Sequence, residues 1–385
     1  MSSRQFYIML AISVIAMKMQ KLPSLVVGEL GKDAWLLFLV FALINIIGIV
    51  LVFFIFKRID LKNVLKPSNN FFFNILRIIL LIATLLYFLV QSILVYEHIQ
   101  ALFSNTLFDD LSWSFFSILL LFTVYFLAHR GIENIALNYE LYTWIIIIPL
   151  VVLTVFGVTQ TDFSALLPFE TISLGSVLSK VQMFNCWFGD FFLVLYLEVR
   201  VKDIKLSKTL FVYILSMIFM TFLVVVFTGI YGCVAPNAPG LISVISEQSL
   251  LDVSIGRLDW FLILFTEMGA ILTCSVYLYF ANLCMHSIFS KARSFYLKFF
   301  NVAVLYVLDI FILVDLNAKI KFFCGFMSKL SIAVQIFTIV VLIAMALFVN
   351  VKASKQRAKE SFCINLIENK KTRKKSHSRQ SEVRA

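Results

Sequence analysis

The sequence predicts an all-α polytopic membrane protein with about ten transmembrane helices, and three observations carry that prediction. The first is composition. Of the 385 residues, 61% are hydrophobic and 14% charged, where soluble domains are nearer half apolar and a quarter charged. The second is the recurrence of apolar runs of bilayer-spanning length, at 6–27, 34–56, 72–99, 112–129, 139–157, 181–198, 208–231, 257–283, 295–315 and 328–350. Each is close to the roughly 20 residues that cross a hydrocarbon core. The third is that basic residues gather in alternate loops, as the positive-inside rule requires.

The first span holds the most unusual stretch, Ala16-Met17-Lys18-Met19-Gln20-Lys21-Leu22-Pro23. Lys18 lies roughly 18 Å into the segment, near the middle of the bilayer. Pro23 has no backbone N–H and crowds the turn before it. Two ammonium groups, an amide and a proline at that depth fit a discontinuous helix lining a site. Broken backbone survives there only within protein or against a water-filled cavity. The competing reading is a kinked helix whose lysines both snorkel to an interface. Lys21 and Pro23 follow the apolar run where a cleavage site would stand, so the span is expected to be retained, not removed as a signal.

Lys57, Arg58, Lys62 and Lys66 follow the second span, and Arg130 follows the fourth. Arg200, Lys202, Lys205 and Lys208 follow the sixth; Lys291, Arg293 and Lys298 follow the eighth. The intervening loops are poor in basic residues, which places both termini in the cytoplasm. Lys319, Lys321 and Lys329 run against this pattern. Trp35, Trp113 and Trp260 mark outer span ends, as an aromatic belt does. The segment 232–256, with Pro236, Pro239 and Gly240, is long enough for a small external helix or lid as well as an ordinary loop.

Ten spans divide into five and five. Transporters built from inverted repeats place broken helices at matching positions of the two halves. The first span of the second half contains Phe184-Asn185-Cys186-Trp187-Phe188-Gly189-Asp190. Asn185 and Asp190 are polar, Gly189 permits unusual backbone angles and Trp187 offers a broad surface to a ligand. Helices one and six are therefore both expected to be discontinuous near the midplane, around a shared site. The alternative is polar packing between helices without a ligand. Gln91, Glu97, His98, Glu140, Gln335 and Asp309 are further intramembrane polar residues, and Glu267 lies deepest in its span.

The membrane domain is expected over 1–350, with a basic cytoplasmic tail of disordered character over 351–385. The tail suits the anionic lipids of the inner leaflet, and nucleic acid is not expected as a partner. It carries much of the net charge of +11. The 6 cysteines show no ligand spacing and the 4 histidines are scattered, so no metal and no cofactor are expected. No phosphate loop, nucleophile elbow or HExxH is present, and no enzymatic activity is expected.

Several local patterns, in order, resemble one family. They are Leu22-Pro23-Ser24 with Gly31-Lys32-Asp33-Ala34-Trp35, Arg130-Gly131-Ile132-Glu133 and Leu166-Leu167-Pro168. Gly189-Asp190, Arg257-Leu258-Asp259 and Tyr277-Leu278-Tyr279 follow. The chain resembles the endospore germination permeases, the B subunits of GerA-type nutrient germinant receptors, within the amino acid–polyamine–organocation superfamily. That resemblance implies a LeuT-like fold, a 5+5 inverted repeat with helices 1 and 6 unwound around a small-molecule site. It implies an inner spore membrane location beside an A subunit and a lipoprotein C subunit, with an amino acid or similar nutrient as ligand. Ala16 stands where the family commonly has glycine, Asp190 where it usually has glutamate, and Lys18 and Lys21 add charge to a neutral stretch.

The expected ligand-binding residues are Ala16, Met17, Lys18, Met19, Gln20, Asn185, Trp187, Gly189, Asp190 and Glu267. At least one lysine is expected to pair with Asp190, Glu267 or a ligand carboxylate, because an ammonium alone in hydrocarbon is costly. Two functions fit such a site. One is a germinant-sensing receptor subunit; the other is a secondary amino acid permease that transports its ligand. A germinant-gated ion or water conduit would use the same fold.

Overall fold

A computed structural model describes residues 1–19, 21–56, 71–106, 113–163, 174–201, 204–231, 258–289, 294–312 and 322–347. Gln20, the segment 232–256 and the tail at 351–385 lie outside these residues, as does the 1–350 boundary. All regular structure among the described residues is helical. The protein is an all-α polytopic membrane protein. Six helical stretches are long and apolar enough to cross a bilayer among those residues, and shorter apolar helices accompany them.

The first half comprises α1 (Ser3–Lys18), α2 (Leu22–Leu30), α3 (Ala34–Phe56), α4 (Phe71–Thr106), α5 (Trp113–Arg130) and α6 (Ile132–Gln160). The second comprises α7 (Leu174–Phe184), α8 (Asp190–Glu198), α9 (Leu206–Tyr231), α10 (Leu258–Ile288), α11 (Ser294–Ile312) and α12 (328–347), the last preceded by a wider turn at Phe322–Met327. Within the described residues, each predicted span overlaps one of these helices or a broken pair of them.

Local chemistry accounts for several boundaries. Ser2 opens α1 with a reciprocal cap: Ser2 Oγ accepts from Gln5 N at 3.2 Å, and Ser2 N donates to Gln5 Oε1 at 2.9 Å. Gly131, at φ 95°, is the single residue between α5 and α6, a backbone angle that a side chain would strain. The start of α1 is held to α6 by Gln5 Nε2 donating to Glu140 Oε2 at 3.0 Å and by Arg4 beside Glu140 at 3.5 Å.

The packing turns the amphipathic rule inside out. On α6, Leu137, Leu141, Trp144, Ile148, Val151 and Val155 recur every three or four residues and are exposed. That stripe is a lipid-facing surface. Polar groups point inward instead, among them Lys18, Gln91, Asn185, Asp190, Glu267 and Gln335. At the centre, α10 packs against α4, α6, α1 and α5, while α1 also meets α9 and α8.

Both predicted breaks are present. The first helix stops at Lys18, passes through Met19 and Lys21, and restarts at Leu22. Pro23 then occupies the first turn of α2, where its missing N–H has no helical partner to lose. The sixth span stops at Phe184, makes one tight turn over Asn185–Trp187, and extends through Phe188 and Gly189 before restarting at Asp190.

Candidate functional site

The two breaks meet through one ion pair. Lys18 is the last residue of α1 and Asp190 the first of α8. Lys18 Nζ donates to Asp190 Oδ1 at 2.7 Å and Oδ2 at 2.9 Å. It also reaches the Val14 carbonyl at 3.4 Å and lies 5.2 Å from the centre of the Phe188 ring. Tyr213 on α9 donates to Asp190 Oδ2 at 3.2 Å. Lys18 is 0% exposed and Asp190 3%. The lysine therefore does not snorkel.

The half-helices favour this arrangement. A helix C-terminus carries partial negative charge and an N-terminus partial positive charge. The ammonium sits at the C-terminus of α1, and the carboxylate at the N-terminus of α8. A charge in hydrocarbon costs several kcal/mol if it stands alone, and each of these two offsets part of that cost for the other.

Unwinding the sixth span strands backbone groups that a helix would satisfy. Side chains from α4 and α12 take them up. Gln335 Nε2 donates to the Phe188 carbonyl at 2.7 Å, Tyr87 Oη to the Gly189 carbonyl at 3.0 Å, and Gln91 Nε2 to the Cys186 carbonyl at 2.7 Å. Cys186 N donates to Ser328 Oγ at 3.2 Å, and Ser328 Oγ donates to the Gln182 carbonyl at 2.7 Å. Gly189 is required by closeness, not by backbone angle: a Cβ there would lie 2.2 Å from Tyr87 Oη. Phe188 stacks on Phe41 of α3 at 3.8 Å. A small, partly open crevice beside this break lies between α4 and the last helix, with Tyr87 and Ser331 in its wall.

The other predicted residues fall around this junction. Ala16, Met17 and Met19 are buried on either side of Lys18. The Asn185 amide turns to Ser331 Oγ at 3.4 Å. Trp187 is buried and donates from Nε1 to His98 Nε2 at 3.1 Å, so His98 presents that nitrogen as an acceptor. Glu267 is fully buried on α10, where Gly269, two residues on, packs against Ile12 of α1. Gln20 lies outside the described residues.

Sequence reasoning missed the residues that hold the site. Tyr87 and Tyr213 look like ordinary aromatic filling in apolar spans. Gln91 and Gln335 stand out as intramembrane amides, and the demand of an unwound segment for donors is the signal that would have assigned them. A second polar knot was also missed, in which Tyr139 Oη lies 2.9 Å from Ser13 Oγ and 3.0 Å from Thr273 Oγ1. It joins α1, α6 and α10 below the ion pair.

A family model described as spore germination protein, a spore permease, matches residues 1–318. The chain belongs to this family. No curated protein matches it. In this spore germination protein the matched region contains both breaks, Lys18 and Asp190. It ends before α12, whose Ser328, Ser331 and Gln335 hold the second break.

Proposed function

We propose that this germination protein is the B subunit of a nutrient germinant receptor in the inner spore membrane, with both termini cytoplasmic. It binds an amino acid or similar small nutrient where the two broken helices meet, and it signals germination through an A subunit and a lipoprotein C subunit. The observation that carries this reading is the buried Lys18–Asp190 pair joining the two helix breaks, in a member of a spore germination family. A LeuT-like 5+5 inverted repeat accounts for the matching places of the breaks. Ala16, Met17, Met19, Gln20, Asn185, Trp187, Gly189 and Glu267 surround or support the ligand in this reading. The protein performs no catalysis: ligand binding shifts a conformational equilibrium that its partners sense.

The test is the germination dose–response of spores carrying Lys18→Met with Asp190→Asn, normalised to receptor abundance. The double substitution leaves no stranded charge, so a lost or strongly right-shifted response is the expected result. An unchanged dose–response overturns the site. Loss of protein when the A and C subunits are deleted is expected from the partner assignment, and an intact response without them overturns it.

The broken helices also favour a second reading, a secondary amino acid permease, since a carrier needs the same junction. Uptake of labelled amino acid into proteoliposomes along an imposed gradient distinguishes it from a receptor that binds without transport.

A further inference from the structure

Among the described residues, the groups that Lys18 Nζ contacts are acceptors and an aromatic face. Asp190 offers both oxygens at 2.7 and 2.9 Å, Val14 its carbonyl at 3.4 Å, and Phe188 its ring at 5.2 Å. The Tyr213 hydroxyl fixes the carboxylate from behind, at 3.2 Å from Oδ2. A bidentate carboxylate, a backbone carbonyl and a π face together suit an ammonium ion. We propose that Asp190, Val14, Phe188 and Tyr213 form a recognition site for a primary ammonium group, and that Lys18 is its built-in occupant, displaced when an external zwitterion binds. This rests on the reading of the chain as a nutrient-binding subunit. It adds the chemical groups that are read and the contact that holds the site shut beforehand.

Two features distinguish this pair from one that merely braces helices. Lys18 stands where α1 ends, and the chain leaves the helix at Met19. Its side chain can therefore swing away by adjusting backbone at a break, with no helix interior to unwind. The pair is also closed on itself at the point where both half-helix ends converge, so no ligand charge reaches Asp190 without parting it.

Displacement sets the class of ligand. An external amine that takes Asp190 leaves the Lys18 ammonium buried without an anion, which is strongly unfavourable. A ligand carrying a carboxylate beside its amine supplies that anion. One buried pair becomes two, and the net charge of the site does not change. A simple amine fails in the native protein but suffices once Lys18 is removed. Lys18 is thus the residue that makes a carboxylate obligatory, and its movement away from Asp190 is the motion that separates α1 from α8.

The experiment measures thermal unfolding of the purified full-length chain in ammonium, methylammonium or choline chloride at equal ionic strength. Lys18→Ala vacates the site and leaves Asp190 in place. Its melting temperature is expected to rise in ammonium and methylammonium over choline by about 2 °C, the shift for an ion at about ten times its dissociation constant. The native chain and Lys18→Ala/Asp190→Asn are expected to show no difference among the three salts. Equal melting of Lys18→Ala in all three overturns the proposal. Where Lys18→Ala is not recovered in choline, its recovery in ammonium is compared with that of the double variant, and recovery in neither salt overturns the proposal. These readouts use no nutrient and no spore. A negative result here leaves the receptor assignment standing, and a failed germination test leaves the ammonium site standing.

Discussion

Lys18 Nζ stands 2.7 Å and 2.9 Å from the two carboxylate oxygens of Asp190, a residue 172 positions further along the chain, with essentially no exposure on either side. This single contact ties the end of α1 to the start of α8. Removing one partner strands the other in a buried site. Lys18→Met and Asp190→Leu are each expected to cost about 3–5 kcal/mol. The double variant is expected to recover most of that loss, because two apolar groups of suitable size replace two charges. Thermal unfolding of the four proteins in detergent measures the cycle, and additive single losses would show that the pair is not coupled. Low abundance of Lys18→Met is thus expected.

Gly189 is the place where a methyl group has least room. Gly189→Ala would bring Cβ to 2.2 Å from Tyr87 Oη and 2.8 Å from Tyr87 Cζ. Overpacking of this kind costs about 1–3 kcal/mol. Adding Tyr87→Phe removes the nearer atom and should return part of the loss, although it also takes a donor from the Gly189 carbonyl. A Gly189→Ala protein as stable as the native chain would contradict the closeness of α4 to the break.

The unwound backbone depends on two amides. Gln335→Leu and Gln91→Leu remove the donors to the Phe188 and Cys186 carbonyls. Each is expected to destabilise by about 1–3 kcal/mol, the cost of leaving a buried carbonyl without its donor. Replacement by methionine gives no donor and should behave alike, whereas leucine at exposed Gln182 should be neutral. The checking measurement is melting temperature across the set.

His98 accepts the Trp187 indole N–H. His98→Leu is expected to cost about 1–3 kcal/mol, and His98→Gln, which offers an acceptor, distinctly less. Equal losses would mean that shape, not the hydrogen bond, matters at this position.

Topology has its own test. The charge alternation places Ser68 inside and Asn105 outside. In a chain with Cys233 and Cys363 replaced by serine, Asn105→Cys should react with an impermeant thiol reagent added outside, and Ser68→Cys should not. Cys186, Cys274, Cys284 and Cys324 are buried and give little background. The reverse labelling would invert the orientation.

The sequence by itself determined the class of protein and the positions of the spans, because a bilayer demands long apolar runs and the chain has few ways to supply them. It also determined both helix breaks, since Lys18, Pro23, Gly189 and Asp190 are too costly or too unhelical to ride in an ordinary span. It singled out Lys18 and Asp190, but it left Asp190, Glu267 and a ligand carboxylate as possible partners of the lysine. Only the tertiary structure decided for Asp190, because partner choice depends on which half-helix ends converge, and one-dimensional spacing carries no information about that. The same holds for Tyr87, Gln91, Tyr213 and Gln335. Their residue types announce a polar atom in an apolar span, and the carbonyl or carboxylate that each one satisfies exists only after α4, α9 and α12 have packed against the break.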